Sequence, residues 1–325
     1  MLRVCIIGCG NIAGGFDAAK PDDALPLTHA GAFTRDGAFT IAACVDPDAE
    51  RRGAFQQRWA VPHAAESLDA AAASGPWDII SVCSPTAFHR EHLAAALALR
   101  PRLVFAEKPV TPTLADTDAV VRHYASAGVL LAVNHTRRWA PDVVRLAGEL
   151  RAGKWGAVRS ASGVYGKGVL NNGAHMVDLI HLLLGPMRVI SAARGQADFW
   201  DDDPTIAAML ETASGVPVQL AVGHAADYAL FELTLVTEQG VITMEAGGLS
   251  WRIRRVESSA AFPGYRTLGA GEVLAGEYNL AMTRAVANLR RAIEAGEALA
   301  STGATALDAQ RVVADIRIAT SRTLE

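Results

Sequence analysis

The stretch Cys5-Ile6-Ile7-Gly8-Cys9-Gly10-Asn11-Ile12-Ala13 constrains this chain more than any other. Val4 to Ile7 is a short apolar run that reads as a buried strand, and it breaks at Gly8. Gly8, Gly10 and Ala13 then follow the spacing G-x-G-x-x-A. The first small residue permits a tight turn, the second lets a pyrophosphate approach the backbone, and the third lets a helix pack closely on the strand. The N–H groups at the start of that helix, with its positive dipole end, suit the anion. Gly8, Gly10, Asn11 and Ile12 are therefore the first candidate cofactor contacts.

A second strand pattern, Ile41 to Val45, ends in Asp46. An acid there accepts hydrogen bonds from the adenosine ribose, which favours NAD over NADP. Its bland alternative is the N-cap of the next helix, with Pro47 at the first helical position. Arg51 and Arg52 keep NADP open. The segment Phe16 to Thr28, rich in Pro and Asp, looks like an insertion in the first helix region.

The chain has 325 residues, enough for two domains with separate cores. Half the residues are hydrophobic and 20% are charged, as in an ordinary soluble protein. A net charge of −4 with no basic run argues against a nucleic-acid partner. No apolar stretch reaches the roughly 20 residues that span a bilayer, so no membrane partner is expected. Residues 1–8 lack the features of a signal peptide. Cys5, Cys9, Cys44 and Cys83 have no C-x-x-C spacing. They read as reduced thiols of a cytoplasmic protein, with neither a disulfide framework nor a metal site.

Residues 1–135 alternate strand and helix, with strands expected at 2–8, 39–46, 78–84, 102–107 and 129–134. That alternation implies a doubly wound parallel sheet. A helix after Thr86 carries Leu93, Ala96 and Leu97 on one face, and another after Thr113 stops at Gly128. Residues 157–257 read as antiparallel strands. Phe231, Leu233 and Leu235 alternate with polar neighbours before a turn at Glu238-Gln239-Gly240. One helix, His175 to Leu184, interrupts them. Residues 259–276 read as a Gly-rich irregular loop, and two helices end the chain. The expected fold class is α/β: a Rossmann domain over 1–135, then an α/β domain over 136–325 with a large, mostly antiparallel open sheet. The last helices are free to pack back on the first domain. One sheet face needs a cover, so a homodimer or homotetramer is expected.

The fourth strand ends in Ala106-Glu107-Lys108-Pro109. In parallel sheets, ligands bind beyond the carboxyl ends of the strands, which places Lys108 where a nicotinamide would lie. A cationic nicotinamide makes a nearby lysine give up its proton more readily, so Lys108 suits proton exchange with a substrate hydroxyl. On composition alone, a surface lysine in a loop is the simpler reading.

Several segments in order resemble the glucose–fructose oxidoreductase / inositol dehydrogenase / rhizopine-catabolism (Gfo/Idh/MocA) family. They are Gly8-Cys9-Gly10-Asn11-Ile12-Ala13, Ser84-Pro85-Thr86-Ala87-Phe88-His89, Glu107-Lys108-Pro109, and Asn172-Gly173-Ala174-His175-Met176-Val177-Asp178, which is similar to G-x-H-x-x-D. Gly303 to Leu307 is also similar to the family's C-terminal pattern. The resemblance implies catalytic Lys108 and His175, a cis Lys108–Pro109 bond, and Ser84, Pro85, Thr86, His89 and Glu107 beside the cofactor. It also implies an NAD(P)-dependent oxidoreductase that moves a hydride at a carbinol carbon of a sugar, cyclitol or nucleotide-linked sugar. An imine or enone reductase and a non-catalytic dinucleotide-binding regulator are the alternatives. Four residues before the histidine, where the family has aspartate, stands Asn171, which cannot act as a carboxylate base. Arg137 and Arg138 are candidates for an anionic substrate group, with structural ion pairing as their alternative. Tyr165, Lys167, Asn171 and His175 are candidates for the substrate side. His89 sits near the cofactor or caps its helix, and Asp201-Asp202-Asp203 reads as a solvated loop.

Overall fold

The computed structural model describes residues 1–21 and 23–322, without the side chains of residues 321 and 322. They form two compact units: Met1–Trp139 with Asn279–Leu307, and Ala140–Tyr278 with the described residues from Asp308 on.

The first unit holds β1 (Leu2–Ile7), β2 (Phe39–Val45), β3 (His63–Ala65), β4 (Ile79–Val82), β5 (Leu103–Ala106) and β6 (Leu130–Val133). Their order is β3-β2-β1-β4-β5-β6, and every pairing is parallel. β4 and β5 are buried at every position, which is why they read as unbroken apolar runs. The helices are α1 (His29–Asp36), α2 (Ala49–Arg58), α3 (Leu68–Ala71), α4 (His89–Ala98) and α5 (Leu114–Ala127). Thr113 caps α5 through the Asp116 N–H, and Gly128 ends it in the left-handed conformation.

The insertion changes where the first helix begins. Asp17 is buried, and its carboxylate accepts from the Leu27 and Thr28 N–H groups and the Thr28 hydroxyl. Thr28 in turn caps α1 through the Gly31 N–H. The His29 and Ala30 N–H groups donate to the carbonyls of Ile12 and Ala13. The expectation that a helix opens directly on the glycine turn is therefore corrected. α1 starts at His29, and its first donors are already occupied by the turn's own backbone.

The second unit holds β7 (Val158–Tyr165), β8 (Met187–Ala192), β9 (Ala208–Thr212), β10 (Pro217–Val222), β11 (Phe231–Thr237), β12 (Gly240–Glu245), β13 (Ser250–Ser258), β14 (Arg266–Leu268) and β15 (Glu272–Ala275). The order is β14-β13-β12-β11-β7-β10-β9-β8, with β15 also paired to β13. Among the described residues of this unit, only β7 and β10 pair in parallel; the other pairings are antiparallel. The segment 259–276 is thus not an irregular loop throughout. Arg266–Leu268 and Glu272–Ala275 use the free edge of β13, a pairing that such short segments do not announce.

Helices α6 (Pro141–Arg151) and α7 (Ala174–Leu184) also belong to the second unit. α7 lies close on β7: a Cβ at Gly163 would sit 2.8 Å from the Met176 sulfur. The chain ends in α8 (Ala281–Ala295) and α9 (Gly303–Arg322). Met282, Val286, Leu289 and Ile293 of α8 join the first unit's core beside Phe33 and Phe39. No helix among the described residues is long and apolar enough to cross a membrane.

Candidate active site

Gly8, at the end of β1, has φ +88°, and a Cβ there would lie 2.6 Å from the Ser84 backbone nitrogen. Only glycine lets this turn nest against the end of β4. Gly10 differs: a Cβ built on it meets nothing within 4 Å. The space over its backbone is open, as the approach of a pyrophosphate requires. Gly8, Asp46, Arg51, Ser84 and Pro85 line a cavity of about 480 Å³. Gly10, Asn11 and Arg51 line a second one of about 250 Å³. Cavities of this size at the carboxyl ends of parallel strands fit parts of a dinucleotide.

Asp46 is buried. One oxygen accepts from the Cys9 N–H at 2.8 Å, the other from the Asp48 N–H at 2.9 Å. Asp46 is therefore not the cap of α2, and Pro47 is not in the helix. Asp48 is the cap, accepting from the Arg51 N–H. Asp46 instead ties the β2 end to the glycine turn. A carboxylate has about four lone-pair sites, so it retains capacity for ribose hydroxyls. Arg51 stands 3.5 Å away and offsets its charge.

Ser84 is nearly buried, and its hydroxyl bonds the His92 ring at 2.8 Å. Thr86 opens a 3-10 turn before α4. His89 neither caps α4 nor faces open space. It is 1% exposed, and its two ring nitrogens bond the carbonyls of Ser84 and Pro109, each at 2.8 Å. It braces the loops after β4 and β5.

The Lys108–Pro109 peptide is cis. Lys108 is half-buried, and its N–H donates to the Glu107 carboxylate at 3.3 Å. Glu107 turns inward. Its Oε1 accepts from the Asn134 amide at 2.7 Å and meets the His29 ring at 2.9 Å. The other His29 nitrogen bonds the Ser81 hydroxyl at 2.7 Å. Burial works against both charges, and the contact between the two groups works for them. Glu107 lies below the usual carboxylate range, chiefly through the His29 hydrogen bond. His29 is raised to about 10 by the Cys83 sulfur and the Glu107 carboxylate. Sequence reasoning passed over His29, because a lone histidine directly after a Pro- and Asp-rich segment has no periodicity to mark it. Arg138 is buried and donates to the Ala300 carbonyl, while Arg137 is half-buried beside it.

In the second unit, a single π-helical turn, Gly168–Gly173, leads into α7 and places half-buried His175 in its first turn. Such turns are frequent at functional sites. Asn171 donates its amide to the Lys167 carbonyl at 3.1 Å. Tyr165 closes β7. It is wholly buried, and its hydroxyl donates to the Ile206 carbonyl and accepts from the Ile206 N–H. Lys167 lies over the exposed Phe199 ring at 4.3 Å.

Two carboxylates brace the π-helical turn. Asp198 accepts from the Lys167 N–H at 2.7 Å and from the Thr205 hydroxyl at 2.7 Å. These bonds outweigh burial and hold it below the usual range. Asp203 accepts from the N–H groups of Leu170 and Asn171, although burial pushes its carboxyl up. The reading of Asp201-Asp202-Asp203 as a solvated loop holds for the exposed first two and fails for buried Asp203.

The glycine turn and six-stranded parallel sheet define the first unit as a Rossmann dinucleotide-binding domain, and the second is an open-sheet α/β domain. Residues 2–135 match the model described as oxidoreductase family, NAD-binding Rossmann fold, and residues 127–243 match the GFO/IDH/MocA C-terminal domain. The chain belongs to the GFO/IDH/MocA oxidoreductase family. It is 28% identical to the D-glucoside 3-dehydrogenase of Escherichia coli over 58% of this chain and 54% of that protein. It is 28% identical to a scyllo-inositol 2-dehydrogenase (NADP(+)) of Bacillus subtilis over 51% of this chain and 45% of that protein. The chain thus spans about half the length of the curated relatives it matches. Its fold superposes on an NAD binding oxidoreductase from Klebsiella pneumoniae with a TM-score of 0.82 at 15% identity, covering 99% and 97% of the two chains.

Proposed function

We propose that this protein is an NAD(P)-dependent dehydrogenase that acts on a secondary hydroxyl of a sugar, cyclitol or nucleotide-linked sugar. The observation that carries the reading is half-buried Lys108 at the carboxyl end of β5, in a sheet whose glycine turn leaves Gly10 open. The relatives' names, a glucoside 3-dehydrogenase and an inositol dehydrogenase, support the substrate class. When bound, the nicotinamide supplies the hydride chemistry. Lys108 and His175 take up or return the hydroxyl proton. Asn171 carries no charge and orients its neighbours. Ser84 and Pro85 border the cofactor, with Glu107 behind Lys108. NAD is the preferred cofactor because Asp46 directly follows β2, and Arg51 gives NADP a foothold.

The open face of the second unit's sheet supports a homodimer or homotetramer. Along β7, Ala161, Gly163 and Tyr165 are buried while Ser160, Ser162 and Val164 remain half-buried. Four buried free cysteines support a cytoplasmic location.

A panel of sugars, cyclitols and nucleotide sugars, read by NADH or NADPH formation, tests the activity. Turnover of a cyclitol or sugar that vanishes in Lys108→Ala supports the reading. Cofactor binding with no turnover of any alcohol or matching ketone would leave a regulator. Light scattering tests the assembly, and a strict monomer at micromolar concentration contradicts it.

A further inference from the structure

The buried His29–Glu107 contact lies one residue from Lys108 in the chain, and nothing in the hydride chemistry requires it. Its surroundings are closed. The His29 ring stacks on Phe105 with centroids 4.4 Å apart, and both His29 and Asn134 are almost without solvent exposure. Thr136 donates to the Asn134 carbonyl oxygen at 3.0 Å, which leaves the amide nitrogen as donor to Glu107. The titratable groups facing His29 are Glu107, after β5, and Cys83, after β4. Ser81 and Asn134 complete its polar contacts and are neutral. Besides His29, the charged group bearing on Glu107 is Lys108.

Hydrogen bonds alone do not fix the charge of His29. A neutral ring could donate from Nε2 to Glu107 and accept the Ser81 hydroxyl. The charge balance favours the imidazolium. A buried carboxylate without a cation is costly, and two cations compete for this one: the imidazole, wholly buried against it, and the half-buried Lys108 ammonium. The buried partner has the shorter path through low dielectric and no water to compete with.

We propose that His29 is a positioning residue for Lys108: as an imidazolium it supplies the countercharge of Glu107, so the Lys108 amine is not recruited as that countercharge. The insertion then has a task. Asp17 fixes Thr28, Thr28 caps α1, and the first residue of α1 delivers the cation beneath the strand end that carries Lys108. With Glu107 already matched, Lys108 sheds its proton at lower pH than it would beside an unpaired carboxylate. This inference rests on the reading of Lys108 as the group that handles the hydroxyl proton.

The test reads Lys108 directly and needs no substrate. The cofactor-free protein is acetylated with acetic anhydride across a pH series, and the Lys108 peptide is quantified by mass spectrometry. His29→Gln should raise the Lys108 titration by on the order of one pH unit, a roughly tenfold gain in basicity. His29→Gln/Glu107→Gln should return it towards the wild-type value. An unchanged Lys108 titration in a folded His29→Gln protein would overturn the proposal, because a purely structural role moves stability and leaves the amine alone. If that variant does not fold, nitrogen NMR of wild-type His29 decides. A doubly protonated ring at about pH 8 supports the proposal, and a neutral one refutes it. Normal turnover by Lys108→Ala would sink the catalytic reading of Lys108 while leaving the titration shift intact, so the two failures are distinguishable.

Discussion

Gly8 and Gly10 belong to one motif, yet their Cβ environments predict opposite failures. In Gly8→Ala the new methyl would lie 2.6 Å from the Ser84 nitrogen, 2.7 Å from the Ser84 Cα and 2.8 Å from the Cys83 carbonyl carbon. All three are backbone atoms, so no side chain can swing aside. The left-handed φ of +88° adds roughly 1–2 kcal/mol of strain for a residue with a Cβ. Overpacking against rigid neighbours typically costs about 1–3 kcal/mol more. The sum, roughly 2–5 kcal/mol, is a large share of a typical stability of about 5–15 kcal/mol. In Gly10→Ala the methyl points into open space and φ is not left-handed, so the fold should change by less than about 0.5 kcal/mol. Its methyl would instead occupy the space of the pyrophosphate. Urea denaturation measures the first effect, and NADH fluorescence titration measures the second. Gly8→Ala should shift the unfolding midpoint strongly. Gly10→Ala should keep the wild-type midpoint and lose affinity by roughly tenfold or more, about 1.4 kcal/mol. Wild-type NADH affinity in Gly10→Ala would refute the assignment of this turn to the pyrophosphate. Wild-type stability in Gly8→Ala would refute the packing of the β1 turn on β4.

Lys108→Ala should lose on the order of 10²-fold in kcat while still binding cofactor, with His175→Ala less affected and Asn171→Ala milder than either; steady-state kinetics on the substrate found by screening decides, and near-normal kcat in Lys108→Ala removes Lys108 from the mechanism. Wild type should bind NADH more tightly than NADPH, and Asp46→Ala should narrow that gap, whereas Arg51→Ala should weaken NADPH more than NADH; tighter NADPH binding by the wild type ends the argument from Asp46. The His29–Glu107 pair should give stability a pH window. The raised His29 contributes fully below the unfolded imidazole value of about 6.5 and loses its contribution as pH rises through about 10. The lowered Glu107 contributes above its unfolded value of about 4.3 and loses its share as pH falls through its folded one. Denaturation midpoints of wild type should therefore decline between neutral pH and pH 10 by a step that His29→Gln lacks, and parallel curves would exclude a charged pair.

The sequence determined whatever depends on local pattern. The runs at Val4–Ile7 and Ile41–Val45 became strands because unbroken apolar character suits a sheet covered on both faces. Phe231 to Thr237 became a half-covered strand because it alternates. Thr113 and Gly128 bounded α5 as their capping chemistry requires. Lys108 and His175 stood out by motif. Tertiary structure decided what depends on residues far apart in the chain. Asp46 turned out to hold the glycine turn through the Cys9 N–H, 37 positions away, and no local signal separates that from a helix cap. Tyr165 and His89 proved to be internal braces, because their partners, Ile206 and Pro109, are brought to them by the fold. Arg266–Leu268 and Glu272–Ala275 became strands only because β13 offered an edge. His29, 78 positions from Glu107, is the clearest case. The chemistry of a buried ion pair is set by which groups share a dry space, and a linear sequence lists those groups without saying that they meet.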